Sequence, residues 1–442
     1  MKKTIIRSTI LLIIVSVIAK ILSFIVRIML ARTLSEQAMN YYTLASPTMV
    51  FVITLAQMGI PTALSKVIAQ SKTPNKSMKV SILLSVLNNV VIILSFLIIL
   101  PMLAQYVLKQ DEIKPVLYAI LPLIPFVTIS GLLKGYLYGI QHHIQATSSQ
   151  IFEELARIIF LFVVFSLHPD MSAIQMAQYA MISVTVGEVI SMLFMLCSIR
   201  IKKHTLSRIP HLFLDLNRSS FYEILSVSLP MTGSRLIGSL TYFFEPIIMV
   251  MGLSSIAAGS MISAYGQLNG YVLPIITMPS FITVTLSNFL LPSFTYHYSR
   301  GDIKNAKKLF NVIISCCFFI GICCSFACYF YNEELLTLFY HNTRGAHILK
   351  QLAWPFALFS LQAPLSSMLH ALSRSKKTVL DTLLGSVARL SCVFFLTPLL
   401  GNTSLFIGLV LGMLLTTITH ALRLGVALHQ DVKKTASYPT PF

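Results

Sequence analysis

The chain has 442 residues, 55% of them hydrophobic and only 11% charged, with 33 Lys and Arg against 15 Asp and Glu and a formal net charge of +18. Apolar runs of about 18 residues or more recur along the whole length, which is the pattern of membrane spans and excludes a soluble globular domain. The positive excess lies in the connections between those runs, where it matches membrane topology and anionic lipid headgroups, so nucleic acid is not an expected partner.

Twelve spans are predicted in chain order, over 9–31, 41–62, 80–104, 116–139, 150–167, 173–198, 222–250, 264–291, 309–330, 348–371, 378–399 and 403–427. The fold class is all-α. The start, MKKTIIRSTILLIIVSVIAK, has a basic flank like a secretory signal, but its apolar run continues to Ala31 without a small-residue cleavage site, and it reads as a retained first span. Lys and Arg concentrate in the even-numbered connections, with Lys66, Lys72, Lys76 and Lys79 after the second span, Arg200, Lys202, Lys203, Arg208 and Arg218 after the sixth, Arg300, Lys304, Lys307 and Lys308 after the eighth, and Arg374, Lys376 and Lys377 after the tenth. With Lys2, Lys3, Arg7, Arg423, Lys433 and Lys434, 22 of the 33 basic residues fall on one side, against Arg32, Lys109, Lys114, Arg344 and Lys350 on the other. Basic loops are retained in the cytoplasm, so both termini are expected there, in a multi-pass protein of the cell membrane.

The segment 199–221 is the longest basic connection and divides the chain into an N-terminal lobe, 1–198, and a C-terminal lobe, 222–428, followed by a short cytoplasmic tail, 429–442. The halves echo each other. QHHIQATSSQIFEELAR at 141–157 and SRSKKTVLDTLLGSVAR at 373–389 both join a fourth span to a fifth, both end in Ala-Arg, and lie 232 residues apart. The connections SKTPNKSMKVS and SRGDIKNAKKLF match in the same order, which indicates parallel six-span repeats.

Ionisable residues inside spans are the functional candidates, because a charge at the bilayer centre costs several kcal/mol unless it faces water or a partner. Lys20 and Arg27 are seven residues apart on one face of span one, with Ser16 and Ser23. Arg235 stands in the middle of span seven and Arg389 in span eleven. Together these cations suit an anionic group such as a diphosphate, whose oxygens an Arg fork reads well. The alternatives are that they pair with Glu188 and Glu245 as locks between the lobes, or that Lys20 and Arg27 snorkel toward an interface. Glu245 precedes Pro246, which frees a backbone carbonyl, so a coupling cation is a second candidate partner there, as is a plain Arg–Glu pair.

On span four, Gly131, Gly135 and Gly139 form a small-residue ridge on which span five is expected to pack. His142 and His143 then fall in a solvated turn, and Gln150, Glu154 and Arg157 make one polar face at the entry of span five. Glu153 or Glu154 can pair with Arg157, either as a structural ion pair closing the inner end of the lobe or as part of an inner gate. The seven cysteines all lie in apolar spans without an accompanying His or carboxylate, and read as small buried apolar residues; no metal and no cofactor is expected.

The run KGYLYGIQHHIQATSSQIFEELARI resembles the signature of the stage V sporulation protein B group of polysaccharide transporters, a Gly-Tyr-x-x-Gly-x-Gln turn leading to a Ser-Gln-x-x-Glu-x-x-x-Arg helix. Gly135, Gly139, Gln141, Ser149, Gln150, Glu153 or Glu154, and Arg157 carry the likeness. The first span is similar to the group's Lys-Ile-x-Gly-x-x-x-Arg start, with Lys20 and Arg27 in place and Ser23 where glycine is usual; Glu245 stands near the group's usual Asp. The group belongs to the multidrug/oligosaccharidyl-lipid/polysaccharide flippase superfamily, with the lipid II flippases. The resemblance implies a V-shaped alternating-access transporter that flips an undecaprenyl-diphosphate-linked glycan or peptidoglycan precursor, with membrane lipids as its other partner. Many members carry fourteen spans, the last two forming a groove for the lipid tail, whereas twelve are predicted in this chain.

A multidrug exporter of organic cations, driven by Na⁺ or H⁺, is the second transporter reading; it would want carboxylates in the cavity, and span one offers two cations and none. An enzyme acting on lipid-linked sugars would need acid, base or metal groups in a large exterior or cytoplasmic site, and the longest exterior loop, NEELLTLFYHNTRGAH, offers only the adjacent Glu333 and Glu334; no enzyme activity and no catalytic residue is expected. A scaffold that recruits cell-wall enzymes without transport is a third class.

Overall fold

The computed structural model describes residues 2–70, 74–199, 218–251, 255–299, 302–372 and 374–436, nearly all of them helical. Most of the linker 199–221 and the end of the tail 429–442, with Lys72, Arg200, Lys202, Lys203, Arg208 and Arg300, lie outside the described residues. Among the described residues, nine helices are long and apolar enough to cross a membrane, and the pair Gly259–Ile276 and Ser280–Ser287, bent by 55°, passes the same test together, as a broken span or a re-entrant loop would. The two other predicted spans are also helices, His143–Leu167 and Arg218–Val250, so each of the twelve falls on helical chain. Large apolar side chains cover the outside as well as the core, Leu399 being 79% exposed, as lipid-facing helices require.

Contacts divide the chain into two compact units, Met1–Met251 and Gly252–Phe442. In the first, α1 is Lys2–Thr33, α2 Glu36–Gln57, α3 Ile60–Gln70, α4 Pro74–Met102, α5 Lys114–Tyr118, α6 Leu123–Gly139, α7 His143–Leu167, α8 Ala173–Ser198 and α9 Arg218–Val250. α1 packs along α7, α7 along α8, and α9 on α2, α3 and α4.

The break between α2 and α3 organises this unit. Met58 and Gly59 both take positive φ, 45° and 61°, which ends α2 and restarts the chain at Ile60-Pro61. A Cβ at Gly59 would stand 2.8 Å from the Ser228 carbonyl oxygen and 3.1 Å from Thr232 Oγ1, so glycine is required both by φ and by the approach of α9. Pro61 meets the glycine ridge of α6 within the same unit. A Cβ at Gly135 would lie 2.3 Å from the Pro61 carbonyl oxygen, one at Gly131 3.0 Å from its ring, and one at Gly139 2.7 Å from Ile68. The ridge therefore packs on α3, not on span five as its sequence position suggested. The broken span two presents its backbone to α6, and α7 instead runs beside α1 and α8.

In the second unit, α10 is Ser255–Gln267, α11 Leu273–Ile276, α12 Ser280–Ser299, α13 Ile303–Phe330, α14 Asn332–Tyr340, α15 Ala346–Ala357, α16 Gln362–Ala371, α17 Ser375–Leu400 and α18 Thr403–Ala436. Its core joins Leu290, Phe294, Ala306, Ile313, Cys317, Leu365, Met368 and Leu424 from α12, α13, α16 and α18. Cys317 and Cys328 are buried as expected, whereas Cys316 and Cys323 are exposed on the outer side of α13. The segment read as the longest exterior loop is partly helix. Glu333 and Glu334 occupy the first turn of α14, where carboxylates favour the helix dipole, Leu336 and Tyr340 are buried, and His341 ends it at φ 57°.

Replacing Gly135 by Leu is predicted to destabilise the protein by about 2 kcal/mol or more, since the Pro61 backbone cannot give way. Gly238→Ala, where nothing lies within 4 Å of the added Cβ, should leave the protein at least as stable, as thermal melts of the purified protein would report.

Candidate functional site

Three helices of the first unit bring a set of charges together. Lys134 lies near the end of α6, Glu153, Glu154 and Arg157 on the first half of α7, and Glu188 on α8. Lys134 Nζ lies 3.3 Å from Glu153 Oε2 and 3.8 Å from Glu188 Oε2, and Arg157 Nη1 donates to Glu154 Oε2 at 3.2 Å. Of the two pairings open in the sequence, Arg157 takes Glu154, and Glu153 turns to Lys134. Glu154 and Glu188 are buried, 9% and 8% exposed. The helices come close because Gly187 precedes Glu188; a Cβ there would sit 2.8 Å from Arg157 Cγ and 3.0 Å from the Glu153 carbonyl oxygen.

Glu188 therefore pairs inside its own unit, with Lys134. The Arg157 Nε and Glu188 Oε2 atoms are buried without a hydrogen-bond partner, so the network balances charge better than it satisfies hydrogen bonds.

The predicted cations lie elsewhere on this unit. Lys20 and Arg27 are both exposed on α1. At the α1–α7 seam, Ser23 and Arg27 lie on the α1 side of the Glu154 carboxylate. Arg235 is exposed on α9, where its Nη2 donates to Thr62 Oγ1 at 3.4 Å, just beyond the broken turn of span two. Glu245, further along α9, is fully buried. Arg27 and Arg235 are thus positioned by different helix pairs. His142 and His143 stand at the α6–α7 turn, His143 Nε2 lying 3.0 Å from Gln141 Oε1.

Arg389 belongs to the second unit, half-buried on α17. α17 and α18 are closely apposed there, since a Cβ at Gly412 would stand 2.6 Å from the Gly385 carbonyl oxygen and 2.9 Å from Arg389 Cβ. Nearer the start of α17, Asp381 accepts hydrogen bonds from His420 and Arg423 of α18.

Lys134, Asp381 and His420 did not stand out in the sequence. All three satisfy the criterion applied to the other candidates, an ionisable group inside an apolar span, but each lies near a span end where snorkelling makes a charge unremarkable. The repeat holds a stronger signal, because Glu188 and His420 are separated by the same 232 residues as Arg157 and Arg389.

The fold and its charged helices define a multi-pass membrane protein. Among solved structures, an inward-facing multidrug resistance MATE family transporter of the MOP superfamily superposes with a TM-score of 0.71 at 17% identity, covering 94% of this chain and 99% of that one. A MOP superfamily transporter from Pyrococcus furiosus gives 0.64 at 17% identity over 96% of each chain. The family model described as polysaccharide biosynthesis protein matches residues 5–297, and the chain belongs to that family. Stage V sporulation protein B of Bacillus subtilis (strain 168) is 30% identical over 98% of this chain and 86% of its own length. Sporulation protein YkvU of the same organism is 25% identical over 99% and 98%.

Lys134→Gln is predicted to cost about 3–5 kcal/mol, since it leaves Glu153 and Glu188 buried without their cation. Adding Glu188→Gln should recover part of that loss. Equal destabilisation of the single and double variants in denaturant or thermal unfolding would show that the two residues do not interact.

Proposed function

We propose that the protein is a flippase that carries an undecaprenyl-diphosphate-linked oligosaccharide or peptidoglycan precursor across the cytoplasmic membrane by alternating access. The observation that supports this reading is the sorting of charge in the first unit. Glu153, Glu154 and Glu188 each stand within 4 Å of Lys134 or Arg157. Lys20, Arg27 and Arg235 are exposed, and among the described residues none has a carboxylate at that range. Cations held on apolar helices without a paired carboxylate suit a substrate that brings its own negative charge, and a diphosphate offers oxygens for two guanidinium forks.

In this scheme the lobes 1–198 and 222–428 alternate, both termini are cytoplasmic, and the headgroup is taken up from the cytoplasm by Lys20, Arg27 and Arg235, with Arg389 as a further contact. The Glu154–Arg157 pair and Glu188 form an inner gate, and Glu245 is the candidate site for a coupling cation. The polyprenyl tail stays in lipid. The membrane potential, about 2.3 kcal/mol per charge per 100 mV, is sufficient to bias the return of an unloaded cationic site.

Multidrug transporters share the fold, and an exporter of organic cations needs carboxylates that its substrate can reach. Glu188 and Glu245 are 8% and 0% exposed, which favours the anionic substrate. The Pyrococcus furiosus fold relative is itself described as having a binding pocket of reverse polarity that suggests a different function.

The test is flipping of a fluorescent undecaprenyl-diphosphate sugar in oriented proteoliposomes, with ethidium as the competing substrate. Wild type should move the lipid, and Arg27→Gln and Arg235→Gln should each slow it at least tenfold, equivalent to about 1.4 kcal/mol of lost stabilisation, while melting like wild type. Ethidium transport without lipid movement would assign the protein to the exporters.

A further inference from the structure

We propose that Asp381, His420 and Arg423 form a proton-binding site in the second unit, with His420 as the group that takes up and releases the proton. The proposal rests on the transporter reading only for its use, not for its chemistry.

α17 and α18 are consecutive antiparallel helices joined at Gly401 and Asn402, and they pack along each other. His420 and Arg423 are three residues apart on α18, so they share a face, and that face meets Asp381 six residues after the start of α17. The carboxylate is fully buried and His420 is 3% exposed. The two carboxylate oxygens have different partners. Asp381 Oδ2 lies 3.1 Å from His420 Nδ1, and Oδ1 accepts from Arg423 Nε. Arg423 compensates the carboxylate's charge, so the imidazole is not needed as a counter-ion.

The geometry assigns the imidazole tautomer. A carboxylate held by a guanidinium is an acceptor, so the Nδ1 atom beside it carries the hydrogen and Nε2 is the basic nitrogen. Uptake is then a single transfer, in which a hydronium ion gives its proton to Nε2 and leaves as water while the Nδ1–H bond to Asp381 persists. Release is the reverse. Arg423 is the most accessible member of the three, its side chain 32% exposed.

The charged neighbours act in opposite directions. Asp381 on α17 presents a negative charge to the imidazole, whereas Arg423 on α18 brings a positive one and His370 on α16 a second imidazole. His370 is itself exposed and lies 2.9 Å from the Ser375 hydroxyl. On α15, which also packs on α18, His347 and Lys350 stand in the opening turns, and Lys350 lies over the Tyr329 ring. A metal or alkali cation is a poor ligand here, because both carboxylate oxygens face N–H donors and one donor is a guanidinium. A proton needs no coordination shell, and histidine with a buried carboxylate is a recurrent proton-relay arrangement inside membranes.

The repeat supports the assignment independently. Glu188 and His420 occupy matching places 232 residues apart, on the second helix of the matching pairs α7–α8 and α17–α18. In the first unit the position holds a carboxylate paired to Lys134; in the second it holds an imidazole paired to a carboxylate. The second arrangement is the one that includes an imidazole, a group able to take up a proton at a ring nitrogen.

The site can be tested without substrate, so the outcome is independent of the lipid the protein carries. Infrared difference spectra of the full-length protein in nanodiscs, with ring-labelled histidine, would be recorded from pH 5 to pH 9 for wild type, His420→Gln, Asp381→Asn and Arg423→Gln. One titrating imidazole component of the wild-type spectra, among those of the eleven histidines, should be missing in His420→Gln. Its midpoint should fall by about one pH unit or more in Asp381→Asn and rise in Arg423→Gln, in keeping with the sign of the charge removed. Wild-type and His420→Gln spectra that superimpose across the range would overturn the proposal. If His420→Gln does not fold, unchanged midpoints in the two neighbouring variants would overturn it equally.

Discussion

A charge on a membrane-spanning helix must find a countercharge or water, and this constraint organises the polar chemistry of the protein. In the first unit it is met by pairing across α6, α7 and α8, where Lys134 and Arg157 absorb Glu153, Glu154 and Glu188. Those pairs are possible because Gly187 removes a side chain from between α7 and α8. With these carboxylates paired internally, Lys20, Arg27 and Arg235 remain exposed with no carboxylate at ion-pair range among the described residues. The charge pattern on which the proposed binding function rests is thus a consequence of where the internal pairs close.

The same unit shows how backbone geometry places those exposed cations. Arg235 reaches Thr62 because span two breaks at Met58 and Gly59, and α9 leans into the break against the Gly59 backbone. Pro61, immediately after the break, is seated against the glycine ridge of α6. One interruption of a helix therefore serves two interfaces, and a Cβ at either glycine contact would disturb both the packing and the position of Arg235.

Much of the architecture was legible because its determinants are local. Apolar run length marks the helical stretches, and the 232-residue echo between 141–157 and 373–389 can be read before any contact is known. The glycine ridge was legible too, but its partner was not. Which helix fills a ridge depends on the rotation and kinking of neighbours, and the turn at Met58 and Gly59 that presents α3 to α6 depends on tertiary contact with α9. The candidate site divides in the same way. Lys20, Arg27 and Arg235 can be listed from sequence, since an unaccompanied charge in an apolar run is visible there. The pairing of Glu188 with Lys134, and of Asp381 with His420, joins residues 54 and 39 positions apart, and only helix packing brings them together.

The central claim is that exposed cations on the membrane-spanning helices read a diphosphate. Its most direct measurement is equilibrium binding of undecaprenyl diphosphate to the purified protein, set against undecaprenol, which has the same tail and no charge, for wild type and the Arg27→Gln/Arg235→Gln double variant. The account predicts that wild type binds the diphosphate at least tenfold more tightly than the alcohol, and that the double variant binds the two alike. Equal binding of both lipids by wild type, or a preference that survives in the double variant, would contradict it.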